Sequence, residues 1–186
     1  MHLPKEFERL EQYCANQITD VYAERLQTEK DSICAEWQSV WEVFCAELGE
    51  CPCKAEFVEI SLLRYSLLQD NETPGFLMEA FNERWIFGGV FHAKKVSLST
   101  LTQIIFSFRE TVYLEAKRYM GKISPSLAEK AFLQQLPNLE AHISDVLKAD
   151  LDAWLLTPAF HSLFSQKLLC SFGGYRFFQN TLYEGK

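Results

Sequence analysis

Apolar residues recur every three or four positions over most of this chain, and this spacing limits the possible folds more than any other feature. This spacing places apolar side chains on one face of an α-helix, and such a face must pack against another element. In residues 1–50 it predicts two amphipathic helices that form a helical hairpin. The first covers about residues 4–28. The second runs from a cap at Asp31 or Ser32 to a left-handed C-terminal residue at Gly49.

The same spacing returns after residue 98. It predicts helices over residues 99–121, 124–136 and 138–155. The middle helix is expected to end at Leu136, because Pro137 disfavours helical geometry in the residue that precedes it.

The C-terminal stretch is rich in aromatic residues. A last helix is predicted between Thr157–Pro158 and Gly173–Gly174, because its large apolar residues fall four positions apart: Phe160, Phe164, Leu168 and Phe172. The tetrad that follows, residues 175–178, cannot turn all its side chains inward on one element. Aromatic side chains supply much of the binding energy at protein interfaces. The predicted interface residues, for a protein partner or for self-association, are therefore Tyr175, Phe177 and Phe178.

Residues 55–96 fit two kinds of structure. Polar residues between positions 55 and 67 do not gather on one side of a helix, and two apolar runs of similar length flank the turn-rich segment 70–75. We therefore predict two or three antiparallel strands, with a bulge between Leu62 and Leu63 and a third strand over residues 90–98. The predicted fold class is α+β and helix-dominated, with amphipathic helices around a small central hairpin or sheet. An all-α bundle is the alternative.

The composition agrees with a globular core. The 186 residues are 48% hydrophobic and 23% charged, with 8 glycines and 6 prolines. A chain of this length can bury about 70% of its unfolded surface, so it needs no metal or disulfide to fold. We expect a single globular domain over residues 1–186. It would comprise the hairpin of residues 1–50, the strands of residues 55–96 and the helices and aromatic segment of residues 99–186.

The charge distribution argues against nucleic acid as a partner. The net charge is -7, and the first 60 residues hold 13 acidic against 5 basic side chains, whereas nucleic-acid binding requires clustered Lys and Arg. No stretch approaches the roughly 18 apolar residues of a membrane helix, and the first residues contain no apolar signal core. We therefore expect a cytoplasmic protein without membrane contact, in which all six cysteines are thiols.

Three cysteines near the end of the second helix are the candidates for metal or redox chemistry. Cys51 and Cys53 flank Pro52 in the expected loop, and Cys45 precedes them by about two helical turns. Structural zinc sites usually contain Cys pairs separated by two to four residues, a spacing that Cys-x-Cys lacks. The favoured interpretation is a pair of exposed thiols, and a metal site of Cys45, Cys51 and Cys53 is the alternative.

His92 is the histidine whose neighbours are most suggestive of binding. It follows Gly88–Gly89 and precedes Lys94, and a glycine turn with cations can hold a carboxylate or phosphate. Together with Arg64, these are the predicted ligand-binding residues, in a pocket walled by Trp85 and Phe108. The carboxylates of Glu56 and Glu59, by contrast, are predicted to be solvated.

No motif for catalysis stands out. The sequence contains no dinucleotide-binding glycine motif, no phosphate-binding loop and no serine nucleophile elbow. The leading hypothesis is an intracellular, non-enzymatic protein-interaction or regulatory module. The alternatives are a thiol-dependent metal or redox protein and a small-ligand-binding protein, and the sequence implies no particular cofactor.

Overall fold

The structure, a computed structural model, describes residues 4–51, 53–67, 75–82, 89–154, 163–174 and 179–185. Its helices are α1 (Lys5–Gln17), α2 (Ala23–Thr28), α3 (Lys30–Leu48), α4 (Ser99–Arg118) and α5 (Pro125–Trp154). A π-helical segment (Ile18–Tyr22) joins α1 to α2, so the predicted helix over residues 4–28 is confirmed. Its strands are β1 (Ala55–Leu62), β2 (Phe76–Phe81), β3 (Val90–Val96), β4 (Phe164–Gly174) and β5 (Gln179–Glu184).

The described strands form one mixed sheet in the order β3-β2-β1-β4-β5. β1 runs parallel to β4, and the other neighbouring strands are antiparallel. The helix-dominated α+β class is thus confirmed, and the all-α alternative is wrong. The sheet is larger than the predicted hairpin, because two C-terminal strands extend it. At the predicted bulge, β1 ends at Leu62 and a 3-10 turn (Arg64–Leu67) follows.

One face of the sheet lies in the hydrophobic core. Alternate residues of the three central strands are fully buried there, as the period of two in a strand requires. The ring of Phe44 on α3 lies 5.1 Å from that of His92 on β3, so α3 covers this core face at the β3 edge. The core-face residues of β1, β2 and β4 are Val58, Ile60, Met78, Ala80, Cys170 and Phe172.

Helix α5 packs against α1 and α4 on one side and against β4 and β5 on the other. The ring of Phe108 on α4 is central to this layer, with centroids 5.2 Å from Tyr22 and 5.7 Å from Phe132. The hydroxyl of Tyr22 lies 2.9 Å from that of Thr111, which satisfies both polar groups.

The predicted helix end at Leu136 is wrong, because α5 continues through Pro137. An interior proline removes one backbone hydrogen bond and costs about 3 kcal/mol. Burial of an apolar side chain contributes about 1.5–3 kcal/mol. Four apolar side chains near Pro137, two before it and two after it, are fully buried. Their burial outweighs the local defect: Phe132, Leu136, Leu139 and Ile143.

The predicted last helix is also wrong where the structure describes it, because residues 164–174 form β4. A spacing of four is a multiple of two, so it fits one face of a strand as well as a helix. Phe164, Leu168 and Phe172 are all buried, although the pairing of β4 with β1 is irregular between Phe164 and Leu169. The two glycines belong to the strand. Thr157, Pro158 and Phe160 lie outside the described residues.

Helix capping differs from the prediction at both ends of α3. The helix begins at Lys30, before Asp31 and Ser32, and Gly49 has a φ of -63°, which is right-handed. The carboxylate of Glu36 on α3 instead caps the neighbouring helix α4. It accepts hydrogen bonds from the Thr100 backbone N–H (3.1 Å) and hydroxyl (2.8 Å) and from the Ser99 hydroxyl. A contact between helices thus replaces a local cap.

Candidate functional site

The face of the sheet opposite the core face, here called the second face, contains a line of polar residues. Glu59 of β1 lies directly opposite Glu79 of β2, and on its other side opposite Ser171 of β4. Ser171 in turn lies opposite Thr181 of β5. These four residues, the polar row, cross four adjacent strands at one level. Neighbouring strands are about 4.8 Å apart, so the three inner residues span about 10 Å.

Hydrogen bonds join Glu59 to the next level of the second face. Its carboxylate accepts a bond from the Ser61 hydroxyl at 2.8 Å and one from the Gln179 amide at 2.8 Å. The same Gln179 amide nitrogen lies 3.1 Å from the Gly174 carbonyl oxygen. Both donors to Glu59 are neutral, and among the described residues no cationic side chain pairs with it.

Two polar atoms beside Glu59 are buried without a hydrogen-bond partner in the part of the chain that the structure describes. They are the hydroxyl oxygen of Ser171, a residue only 4% exposed, and the side-chain carbonyl oxygen of Gln179. Leaving such an atom unsatisfied costs about 1–3 kcal/mol. Buried polar atoms are normally bonded, so these two atoms are candidates for contact with a polar group of another molecule.

Aromatic rings adjoin the polar row. Phe57 and Phe81 lie two residues from Glu59 and Glu79 on the same strands, and their ring centroids are 5.6 Å apart. Both are almost fully buried, whereas Glu59 and Gln179 are half-buried. The second face therefore combines two aromatic rings, two carboxylates and two buried polar atoms that lack a hydrogen-bond partner among the described residues.

The sequence did not reveal this arrangement. Glu59 is half-buried and accepts hydrogen bonds from Ser61 and Gln179, so it is less solvated than predicted, while Glu56 is exposed as predicted. The available signal was the alternation of Glu59 and Ser61 on a strand. Only the pairing of β1 with β2 and β4 brings these residues next to Glu79 and Ser171.

The predicted ligand-binding residues His92 and Lys94 share one partner, Glu47 on α3. Lys94 forms an ion pair with one carboxylate oxygen of Glu47, and His92 Nε2 lies 3.2 Å from the other. The hydrogen bond from Lys94, with smaller contributions from His92, lowers the pKa of Glu47. These contacts of His92 and Lys94 with Glu47 connect edge strand β3 to α3. The role of His92 and Lys94 in ligand binding stays a prediction.

Arg64 has a different carboxylate partner, Glu140 on α5. The guanidinium donates to the two carboxylate oxygens at 2.8 and 3.3 Å, and Glu140 is 1% exposed. Burial raises the pKa of Glu140, and Arg64 offsets part of this increase. Arg64 lies on the 3-10 turn after β1, whereas His92 and Lys94 lie on edge strand β3. Phe108, the predicted pocket wall, lies in the core, and Trp85 lies outside the described residues.

The three cysteines proposed as metal ligands differ in environment. Burial raises the pKa of Cys45 to about 12, which disfavours the thiolate that binds metal. The thiol of Cys51 lies 3.7 Å from the Glu47 carbonyl oxygen, and Cys53 is half-buried. Within the described segments, no three His, Cys, Asp or Glu side chains are grouped to hold a metal. The metal site of Cys45, Cys51 and Cys53 stays a prediction.

The predicted interface residues Tyr175, Phe177 and Phe178 lie outside the described residues.

Comparison with protein-family models, with curated proteins and with solved structures finds no match. None of the described helices is long and apolar enough to span a bilayer.

Proposed function

We propose that this protein is a ligand-binding regulatory module that takes a small polar molecule on the second face of its sheet. The observation that carries the proposal is the buried Ser171 hydroxyl, which lies beside Glu59 without a partner among the described residues. A ligand that bonds to it would recover the roughly 1–3 kcal/mol that the unsatisfied hydroxyl costs.

A binding role fits this site better than a catalytic one. Glu59 already accepts two hydrogen bonds from neutral donors, which hold it in place as a charged acceptor. Glu59, Ser171 and Gln179 thus supply recognition groups, while the aromatic pair supplies an apolar neighbourhood.

The decisive test combines stability with binding. A broad panel of neutral, anionic and cationic metabolites would be screened by thermal shift, and each stabilising compound would be titrated by calorimetry. A bound ligand at 100 times its Kd stabilises by about 2.7 kcal/mol. The same titrations would be run on Ser171→Ala and on a matched control, Thr181→Val, whose side chain is exposed at the end of the polar row.

We expect Ser171→Ala to be more stable than the wild type without ligand, because it removes an unsatisfied buried hydroxyl. We also expect it to bind the ligand about 3- to 10-fold more weakly, since one hydrogen bond contributes about 0.5–1.5 kcal/mol. Thr181→Val should change neither quantity appreciably. A panel without any stabilising compound, or equal affinity in Ser171→Ala, would refute the proposed site.

A further inference from the structure

Resting on the proposed ligand-binding function, we infer that the ligand is an organic cation, a small amine whose ammonium group lies between Glu59 and Ser171. Charge favours a cation beside Glu59. Glu59 lies directly opposite a second carboxylate, that of Glu79. Glu59 receives neutral donors only among the described residues, so an ammonium group would supply the positive charge that this carboxylate lacks.

The two buried atoms beside Glu59 that lack a hydrogen-bond partner in the described part of the chain can both act as acceptors. The amide nitrogen of Gln179 already donates to Glu59, so the atom of Gln179 left without a partner is its carbonyl oxygen, which can only accept. The hydroxyl of Ser171, 4% exposed, can accept as well. With the carboxylate of Glu59, these make three acceptors on neighbouring strands: Ser171 lies directly opposite Glu59, and Gln179 is hydrogen-bonded to it. Three acceptors match the three N–H donors of a primary ammonium.

The same atoms disfavour other ligands. An anion would place its negative charge beside Glu59 and its oxygens beside the Gln179 carbonyl, and both contacts repel. A neutral alcohol carries one donor and no charge, so it cannot donate to both Glu59 and the Gln179 carbonyl oxygen.

Apolar side chains adjoin the two carboxylates on one side. Phe57 and Phe81 lie two residues from Glu59 and Glu79 on the same strands. Two residues along a strand span about 7 Å, so the rings adjoin the carbon skeleton of a bound amine rather than its ammonium group. The inner part of the polar row spans about 10 Å, which suits a compact amine rather than a long polyamine.

The experiment uses three probes of nearly equal shape that differ in charge. Benzylamine, benzyl alcohol and benzoate would be titrated into the full chain at pH 7.5 by calorimetry and thermal shift. We expect benzylamine to bind most tightly and to raise the melting temperature by about 5 °C at 100 times its Kd. Glu59→Gln should weaken benzylamine binding at least about 10-fold, since charge-assisted bonds are roughly twice as strong as neutral ones.

Two controls separate the possible failures. Glu56→Gln changes an exposed carboxylate on the same strand and should leave benzylamine affinity unchanged. Glu59→Gln should unfold at an equal or higher temperature than the wild type, which shows that weaker binding does not come from misfolding. Should it misfold, Ser171→Ala provides the second test, with an expected loss of about 3- to 10-fold in benzylamine affinity.

The outcomes distinguish this inference from the proposed function. Equal or tighter binding of benzyl alcohol or benzoate, or no benzylamine binding while the broad panel yields a ligand, would overturn the cationic ligand alone. Failure of the entire panel would overturn both.

Discussion

Replacing Arg64 with methionine should destabilise the protein by about 3–5 kcal/mol at pH 7.5, because the Glu140 carboxylate would stay buried without a cation. The pair is joined at 2.8 and 3.3 Å, and Glu140 is 1% exposed. Two unit charges 4 Å apart attract by about 4 kcal/mol at an effective dielectric constant near 20, which agrees with that range. Methionine keeps most of the aliphatic length, so packing changes little.

The dependence on pH follows from the direction of the Glu140 pKa shift. Burial raises the pKa of Glu140 and Arg64 partly offsets this, so removal of Arg64 raises that pKa further. A carboxyl whose pKa is higher in the folded than in the unfolded state favours folding when it is protonated. The deficit of Arg64→Met should therefore be largest at neutral pH and should shrink as the pH falls through the folded pKa of Glu140.

Urea unfolding of the wild type and of Arg64→Met, followed by tryptophan fluorescence between pH 5 and 8, would measure the difference in their free energies of unfolding. The double variant Arg64→Met/Glu140→Leu should recover most of the stability, since replacing both partners of a buried pair is often neutral. As a control, Arg118→Met removes an exposed partner of Glu115 and should cost less than about 1 kcal/mol. A cost below about 1 kcal/mol for Arg64→Met, or a deficit that grows on acidification, would show that the pair is not buried as described.

Further consequences concern packing, capping, thiols and association. Gly174→Ala should cost about 1–3 kcal/mol in urea unfolding, because its Cβ would lie 2.5 Å from Arg64 Nε, whereas at Gly89 a Cβ meets nothing within 4 Å and alanine should be tolerated. Burial alone would raise the pKa of Glu36, but its donors on α4 lower it overall. Glu36→Gln should therefore cost about 1 kcal/mol at pH 7, with the difference vanishing as the pH falls through the folded pKa. The thiols of Cys14 and Cys170 are fully buried, so they should react with a disulfide reagent only after unfolding. Rapid labelling of the native protein would contradict their burial. Self-association should be tested by light scattering on a triple serine variant, because truncation at residue 174 deletes β5; an unchanged mass would exclude the predicted interface of Tyr175, Phe177 and Phe178.

Hydrophobic spacing alone determined the helices of the first half. Over residues 4–48 the apolar residues follow the helical period and do not also fit the period of a strand, so local sequence and tertiary packing agree. The strands of residues 55–96 were also predictable, because their polar residues fit no helix face.

Only the tertiary structure decided the rest, since distant partners override local preference. Phe164, Leu168 and Phe172 fit a strand or a helix equally, and pairing of β4 with β1 selects the strand. Pro137 stays inside α5 because the apolar residues on both sides of it are buried against other elements. The polar row depends on the same long-range pairing. Glu59, Glu79 and Ser171 come from three separate stretches of sequence, and strand register alone sets them side by side.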